Sequence, residues 1–212
     1  MKILSKNSFK FQVQNLSFNF NTNYLLLNIS CTFNSGTIFF IKGTNGSGKT
    51  TLLRLLVGLE KVKPNIGHLI WNLKVLITKK SFYIHKDRVS YLNINNSLNK
   101  VLTVYETLIV WGFIYKTAGF ILPIILKLNL ISLLQSKISV LSFGQLRLVN
   151  FALIILKGVP FWVLDEPLIG LDNLKINLIE TVLNSHKLEG GSILVASHTN
   201  FFFLNSSVNC II

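Results

Sequence analysis

Negative charge is scarce in this sequence. Eight Asp and Glu residues stand against 21 Lys and Arg in 212 residues, for a formal net charge of +13. Cysteine is scarcer still: Cys31 and Cys210 lie far apart. That excludes a disulfide framework and a cysteine-spaced zinc site, and it reads as residence in a reducing compartment. Charged residues make up only 14% of the chain against 50% hydrophobic, a composition that buries a substantial core and excludes disorder. The first seven residues lack the unbroken apolar core of a signal peptide and the arginines of a transit peptide. The length suits one large domain, or a core with a small subdomain. A basic surface can serve nucleic acid or an anionic membrane face. No basic stretch, however, is interleaved with aromatics in the manner of a single-strand binder. The nearest, Lys79 to Arg88, reads as a solvated connector, and nucleic acid is not an expected partner. Arginine is confined to Arg54, Arg88 and Arg147, while Phe, Leu, Ile, Asn and Lys dominate. That usage matches AT-rich coding, as in an organelle or an AT-rich bacterium.

One apolar stretch, Thr107 to Leu126, has the ~20 residues that a membrane span requires. Lys116 sits in its middle, and Gly119 and Pro123 interrupt its second half. A charge at the bilayer centre costs about 3 kcal/mol on insertion scales. The stretch therefore reads as two short helices with one apolar face toward a partner.

The segment with the most chemistry is Gly43-Thr44-Asn45-Gly46-Ser47-Gly48-Lys49-Thr50, followed by Thr51. It lies between an apolar run, Ile38 to Ile41, and a stretch of helical spacing that reaches Leu59. Strand, glycine-rich turn and helix in that order form the context of a phosphate-binding P-loop. The glycines let successive N–H groups face phosphate oxygens, and the helix adds its positive N-terminal end. Lys49 has the reach for the β- and γ-phosphates of a nucleotide, and the Thr50 hydroxyl suits Mg²⁺.

Upstream, Phe9 to Val13 and Leu25 to Phe33 read as strands of an antiparallel sheet, with a turn at Asn34-Ser35-Gly36. Further strands are expected around Leu69 to Trp71 and Val89 to Leu92, and residues 72–90 are otherwise weakly patterned. Residues 93–140 look mostly helical, with Thr103 and Glu106 at capping-box spacing. Ser142 opens a helix that Gly158 closes. Phe161 to Leu164 is apolar throughout, as a buried parallel strand is, and it stops at Asp165-Glu166-Pro167. A helix from Asn173 to Lys187 leads to a second buried strand, Ser192 to Ala196, ahead of Ser197-His198. Alternating helices and apolar strands predict a parallel α/β core, with ligands past the strand ends.

After the P-loop come, in order, Leu141-Ser142-Phe143-Gly144-Gln145, Leu164-Asp165-Glu166-Pro167, Gly170-Leu171-Asp172 and His198. This ordered set resembles the ATP-binding-cassette ATPase family over essentially the whole chain. The resemblance implies an α/β fold with a RecA-like P-loop core, a small antiparallel β subdomain, and a helical subdomain inserted at about residues 95–157, all in one domain spanning 1–212. It implies ATP and Mg²⁺ as ligands, with Lys49, Glu166 and His198 catalytic and Thr50 and Asp165 at the metal. Nucleotide contacts are expected from Gly43, Thr44, Asn45, Gly46, Ser47, Gly48, Lys49, Thr50, Thr51 and Phe20, the last an aromatic for the adenine. Ser142, Gly144 and Gln145 are expected to act on the nucleotide of a second copy, and Asp172 to link the two sites of a homodimer. Where the family usually places a glutamine, spacing puts Asn95, one methylene shorter. Phe143 replaces a small residue, and the basic residues that follow the signature are thinned to Arg147. These departures predict slow hydrolysis.

The chain has the length of a minimal cassette, whose membrane partners would be separate subunits. Its size, the Trp71 region, Leu102 to Leu108 and the stretch from Gly190 to His198 resemble the ATP-binding subunits of cytochrome c maturation systems, which work with haem-handling membrane subunits. That places it at the matrix face of the mitochondrial inner membrane or the cytoplasmic face of a bacterial one. None of the four histidines sits in a haem-attachment motif. An ATPase serving another transported substrate is the competing expectation, and a soluble cassette acting on ribosomes or DNA ranks behind it.

Overall fold

The computed structural model describes residues 8–20, 23–44, 46–60, 67–76, 79–93, 98–197 and 207–211. Two sheets organise them. β1 (Lys10–Phe20), β2 (Asn23–Asn34), β4 (His68–Trp71) and β5 (Lys74–Val75) form an antiparallel sheet in the order β2-β1-β4-β5. β3 (Ile38–Lys42), β6 (Val89–Leu92), β7 (Phe161–Asp165), β8 (Ser192–Ala196) and β9 (Ser207–Ile211) form a parallel sheet in the order β6-β7-β8-β3-β9. β3, which feeds the glycine loop, therefore lies between β8 and β9. β7, which ends on Asp165, lies between β6 and β8.

The central strands carry apolar residues without alternation because both faces are covered. Successive side chains point to opposite faces, and this splits the core in two. Phe161 and Val163 of β7, with Phe39 and Ile41 of β3, pack on one face among Phe11, Phe33, Trp71 and the leucines of α1 (Lys49–Leu56). Trp162 and Leu164, with Ile38 and Phe40, pack on the other among residues of the later helices. The first face is rich in aromatics: Phe9 stacks on Trp71 with ring centroids 4.9 Å apart, and Phe11 lies 5.6 Å from Phe161. Helix α1 thus fills the space between the two sheets, and its first turn is fixed at the end of β3.

The later helices are α3 (Val104–Ile114), α4 (Ile121–Lys127), α5 (Phe143–Lys157) and α6 (Asn173–Leu188), following α2 (Lys79–Lys86). Thr103 caps α3 with the reciprocal Glu106 bond that the spacing predicted. Gly158 closes α5 at φ +64°. The apolar stretch from Thr107 to Leu126 is broken as expected: Lys116 turns left-handed at φ +59° between α3 and a short 3-10 turn at Ala118–Phe120. Among the described residues no helix is long and apolar enough to cross a membrane.

One reading of the sequence needs correction. Lys79 to Arg88 is not a solvated connector, because its first eight residues form α2. Its His85 is buried, stacked on Phe11 at 5.1 Å, with Nε2 2.6 Å from the Leu56 carbonyl. Its apolar residues, Phe82, Tyr83 and Ile84, are consecutive and so give no helical stripe, and the pattern was silent. Asp165 ends β7, as expected of the residue that closes the buried strand, in register with Ala196. Strand β9 was not anticipated, and it completes the edge beside β3.

Candidate active site

The glycine loop begins where β3 ends. Gly46 and Gly48 have φ of +84° and +93°, values that side chains resist. At Gly46 this conformation is the whole demand for glycine, since a Cβ there would meet nothing within 4 Å. Gly48 is the left-handed N-cap of α1, and the Ser47 N–H donates to the Thr44 carbonyl at 3.3 Å. Lys49 is buried, and its Nζ donates to the carbonyls of Gly43 at 2.6 Å and Thr44 at 2.8 Å. The ammonium has three donors, and the two carbonyls hold it across its own loop. Thr51 follows, partly buried, in the first turn of α1. Asn45 and His198 lie outside the described residues, as does Asn95, and of Phe20 only the backbone is described.

Thr50 and Asp165 meet across the sheet: Thr50 Oγ1 donates to Asp165 Oδ2 at 2.8 Å. Asp165 is fully buried. Burial pushes its carboxyl up and the neighbouring Glu166 adds to this, while the Thr50 hydroxyl and Arg147 oppose it. Burial and the Asp165 carboxylate likewise push the Tyr91 hydroxyl well above its ordinary value.

Glu166 is buried too, at φ +46°, a left-handed backbone uncommon outside glycine. Its N–H donates to the Ala196 carbonyl at 2.9 Å, and its Oε2 accepts from Ser197 Oγ at 2.8 Å. Arg147, two residues beyond Gln145, lies beneath the same loop and donates to the carbonyls of Asp165, Glu166 and Pro167.

Ser142, Gly144 and Gln145 gather at a different corner. Ser142 caps α5 in a capping box with Gln145, its side chain accepting from the Gln145 N–H at 3.3 Å. Gly144 packs against Gly170, where a Cβ would stand 3.0 Å from the Gly170 carbonyl. Phe143 lies over Gly170, which at φ +73° has no room for a side chain: a Cβ would come within 2.5 Å of the ring. Asp172 caps α6, accepting from the Lys175 N–H at 2.9 Å and pairing with the Lys175 ammonium. No hydrogen bond among the described residues joins this corner to residues 43–51.

A strand-to-helix glycine loop, a buried lysine and a hydroxyl–carboxylate pair are a phosphate-handling arrangement, and the family described as ABC transporter matches residues 26–169, more than half of the chain. The chain belongs to the ABC transporter ATP-binding family. This ABC ATPase is 34% identical over 178 residues to the cytochrome c biogenesis ATP-binding export protein CcmA of Reclinomonas americana, covering 82% of this chain and 78% of that one. It is 33% identical to the protein of the same name from Paramagnetospirillum magneticum, covering 80% and 78%. It is 28% identical to ABC transporter I family member 1 of Arabidopsis thaliana, covering 88% and 80%. Among solved structures, a putative ABC transporter ATP-binding protein from Pyrococcus furiosus superposes with a TM-score of 0.78 at 23% identity, covering 94% and 96%. A structure described as the ATP-binding subunit of an ABC transporter superposes at 0.82, also at 23% identity, covering 94% and 85%. At these identities the structural likeness speaks for the fold. ATPases of this family hydrolyse ATP, pair with a second ATP-binding subunit and work with membrane subunits.

Two contributors were missed in the sequence. Arg147 was read as the remnant of a basic run, although an arginine in the apolar stripe of a helix is itself a signal that something must satisfy it. Ser197, beside the expected His198, carried no signal, because its role depends on β8 lying next to β7.

Proposed function

We propose that this ABC ATPase is the ATP-hydrolysing subunit of a membrane complex that handles haem for cytochrome c biogenesis. What carries the reading is the similarity to two CcmA proteins at 34% and 33% identity over about four fifths of the chain, in a chain whose loop residues suit nucleotide chemistry. Haem is handled by partner subunits in this proposal, and this chain supplies the ATP cycle. It works as a homodimer, peripheral to the membrane, on the matrix face of the mitochondrial inner membrane or on the cytoplasmic face of a bacterial one.

The residues fit ATP and magnesium. Ser47 Oγ is buried with no partner among the described residues, beside a loop whose Gly46 faces open space, so a phosphate oxygen would satisfy it. Thr50 and Asp165 pair one hydroxyl with one carboxylate, the hard oxygen set that magnesium takes. When bound, the ion would neutralise charge on the phosphate oxygens. Residues 43–48 cradle the phosphates, and Lys49 leaves its loop carbonyls for the β- and γ-phosphate oxygens. Thr51 supports the phosphates from the first turn of α1, and Phe20 stacks on the adenine. Glu166 accepts a proton from the attacking water as that water's oxygen bonds to the γ-phosphorus. The bond from that phosphorus to the bridging oxygen breaks, and its electron pair leaves with ADP. His198 contacts the γ-phosphate. Asn95 stands where a longer glutamine is usual, and hydrolysis is correspondingly slow. Ser142, Gly144 and Gln145 close on the nucleotide of the second copy from a helix N-terminus, and Asp172 links the two sites.

The test is covalent haem in c-type cytochromes, read by haem stain on denaturing gels after depletion of the protein. Loss of stain, restored by wild type but not by Lys49→Ala, is the expected result. Normal stain would remove haem from the proposal and leave an ABC ATPase whose partner must be found by co-purification.

A further inference from the structure

Arg147 heads the fully buried side chains by size, with no exposed surface at all. Burying a guanidinium is costly unless its five N–H groups find acceptors. Its acceptors are main-chain carbonyls, and none belongs to its own helix. Nη1 donates to Asn93 at 2.7 Å, Nη2 to Asp165 at 2.9 Å and also to Glu166, and Nε to Pro167 at 3.2 Å. One side chain on α5 therefore holds the last residue of β7 and the two that follow it, together with the residue that follows β6. Burial pushes the guanidinium down to about 10, opposed by the carboxylates of Asp165 and Glu166, so it remains charged at neutral pH.

What it holds is strained. A left-handed backbone crowds Cβ against the following carbonyl oxygen and is disfavoured for an ordinary residue, and Glu166 adopts one at φ +46°. Its N–H and carboxylate are tied to β8 and Ser197. Its carbonyl accepts from Arg147 and, at 3.4 Å, from the Ile169 N–H. The direction of the Glu166 side chain follows from that backbone twist, so the groups opposite the carbonyl, Arg147 foremost by its charge, bear on where the carboxylate stands.

We propose that Arg147 is a positioning residue for ATP hydrolysis: it pins the carbonyls of Asp165, Glu166, Pro167 and Asn93, holds Glu166 in its left-handed turn, and so makes the aim of that carboxylate depend on where α5 sits. The proposal rests on the reading of Glu166 as the group that takes the proton of the attacking water. Arg147 itself touches no nucleotide in this scheme. Lysine keeps the charge but offers three donors from one nitrogen, and it cannot span four carbonyls as the planar fork does.

The experiment uses the 212-residue chain with Arg147→Lys and Arg147→Gln, each alone and in the Glu166→Gln background. Single-turnover hydrolysis, ATP affinity and Tm are measured. Arg147→Lys is expected to lower the hydrolysis rate at least tenfold with ATP affinity within twofold of wild type. In the Glu166→Gln background it is expected to cost less than a further twofold, because residues that act as one unit are non-additive. Wild-type rate in Arg147→Lys would overturn the proposal. So would ATP affinity falling in step with rate, or an undiminished tenfold loss on top of Glu166→Gln, since each describes a merely structural arginine. If Arg147→Gln does not fold, the lysine variant decides. Wild-type hydrolysis by Glu166→Gln alone would instead sink the reading of Glu166, whatever Arg147→Lys does.

Discussion

The loop that follows β7 and the corner where α5 meets α6 are both built from polar residues at the ends of elements, yet they are finished in different ways. The β7 loop is buried, and its polar groups are satisfied at long range: Asp165 by Thr50, Glu166 by Ala196, Ser197 and Arg147. The corner is more open. Ser142 and Gln145 cap α5, Asp172 caps α6 with Lys175, and every one of these bonds spans three residues. A buried polar group without a partner costs about 1–3 kcal/mol, so the interior loop had to recruit acceptors and donors from three separate segments: the start of α1, the end of β8 and α5. The exposed corner has water as an alternative, and its polar groups are satisfied by helix capping alone among the hydrogen bonds described. A surface finished so locally remains free to meet something else, which in the function proposed is the nucleotide of a second copy.

The largest test of this contrast is Glu166→Gln. It removes the proposed base from the interior loop while keeping shape, and general acid–base groups contribute roughly 10²- to 10⁴-fold. We expect hydrolysis to fall at least about 100-fold with ATP still bound, and an ATP-dependent dimer to persist in size-exclusion chromatography. A monomer under those conditions would break the model of two copies closing on ATP.

At the open corner, Gly170→Ala introduces a Cβ at φ +73° beneath the Phe143 ring. We expect a loss of about 2 kcal/mol in denaturant unfolding, from backbone strain and overpacking together. An unchanged midpoint would mean that this corner shifts freely, and the contrast with the interior would sharpen.

Burial on the interior side also has an acid signature. His85 is held well below its ordinary value, at about 4, chiefly by burial, with Arg88, Lys157 and Lys86 adding to the effect and the Leu56 carbonyl opposing it. The folded state therefore prefers the neutral ring, while the unfolded chain takes up a proton as pH falls below 6.5. Stability from this group is complete above pH 6.5 and is lost as pH falls from 6.5 toward 4. His85→Phe should flatten that limb by up to about 1.4 kcal/mol per pH unit. The same slope in both proteins would show that His85 is wetter than its contacts imply.

The smallest effect belongs to Asp172. Replacing it with Ala removes the cap of α6 and should cost about 1 kcal/mol, whereas Asn caps nearly as well. Thermal melts of Asp172→Ala and Asp172→Asn separate the cap from the charge. If Asp172→Asn is stable but hydrolysis falls, Asp172 acts beyond its own helix. If both variants melt like wild type, local capping does not hold this corner.

What could be read in the sequence was what depends on near neighbours. The loop from Gly43 to Thr50 announces itself because strand, glycines and helix start are contiguous. The cap at Thr103 was legible because a capping box spans four residues, and Ser142 was legible as the opening of its helix. The apolar runs at Ile38–Ile41, Phe161–Leu164 and Ser192–Ala196 marked strands covered on both faces. The stretch from Lys79 to Arg88 was misread because His85, which is buried in α2, is satisfied by Phe11 and Leu56, both remote in the chain.

By itself, then, the sequence determined the family, the α/β order of elements, the glycine loop and the helix caps, since each rests on local backbone preference or short-range hydrogen bonding. Only the tertiary structure decided that Thr50 meets Asp165 across 115 residues and that Ser197 meets Glu166 because β8 pairs with β7. It also decided that an arginine in the middle of an apolar helix is the clasp of the loop that carries Glu166. Those contacts depend on which strands lie side by side, and strand order is set by the burial of two opposed apolar faces over the whole sheet, which no short stretch of sequence specifies.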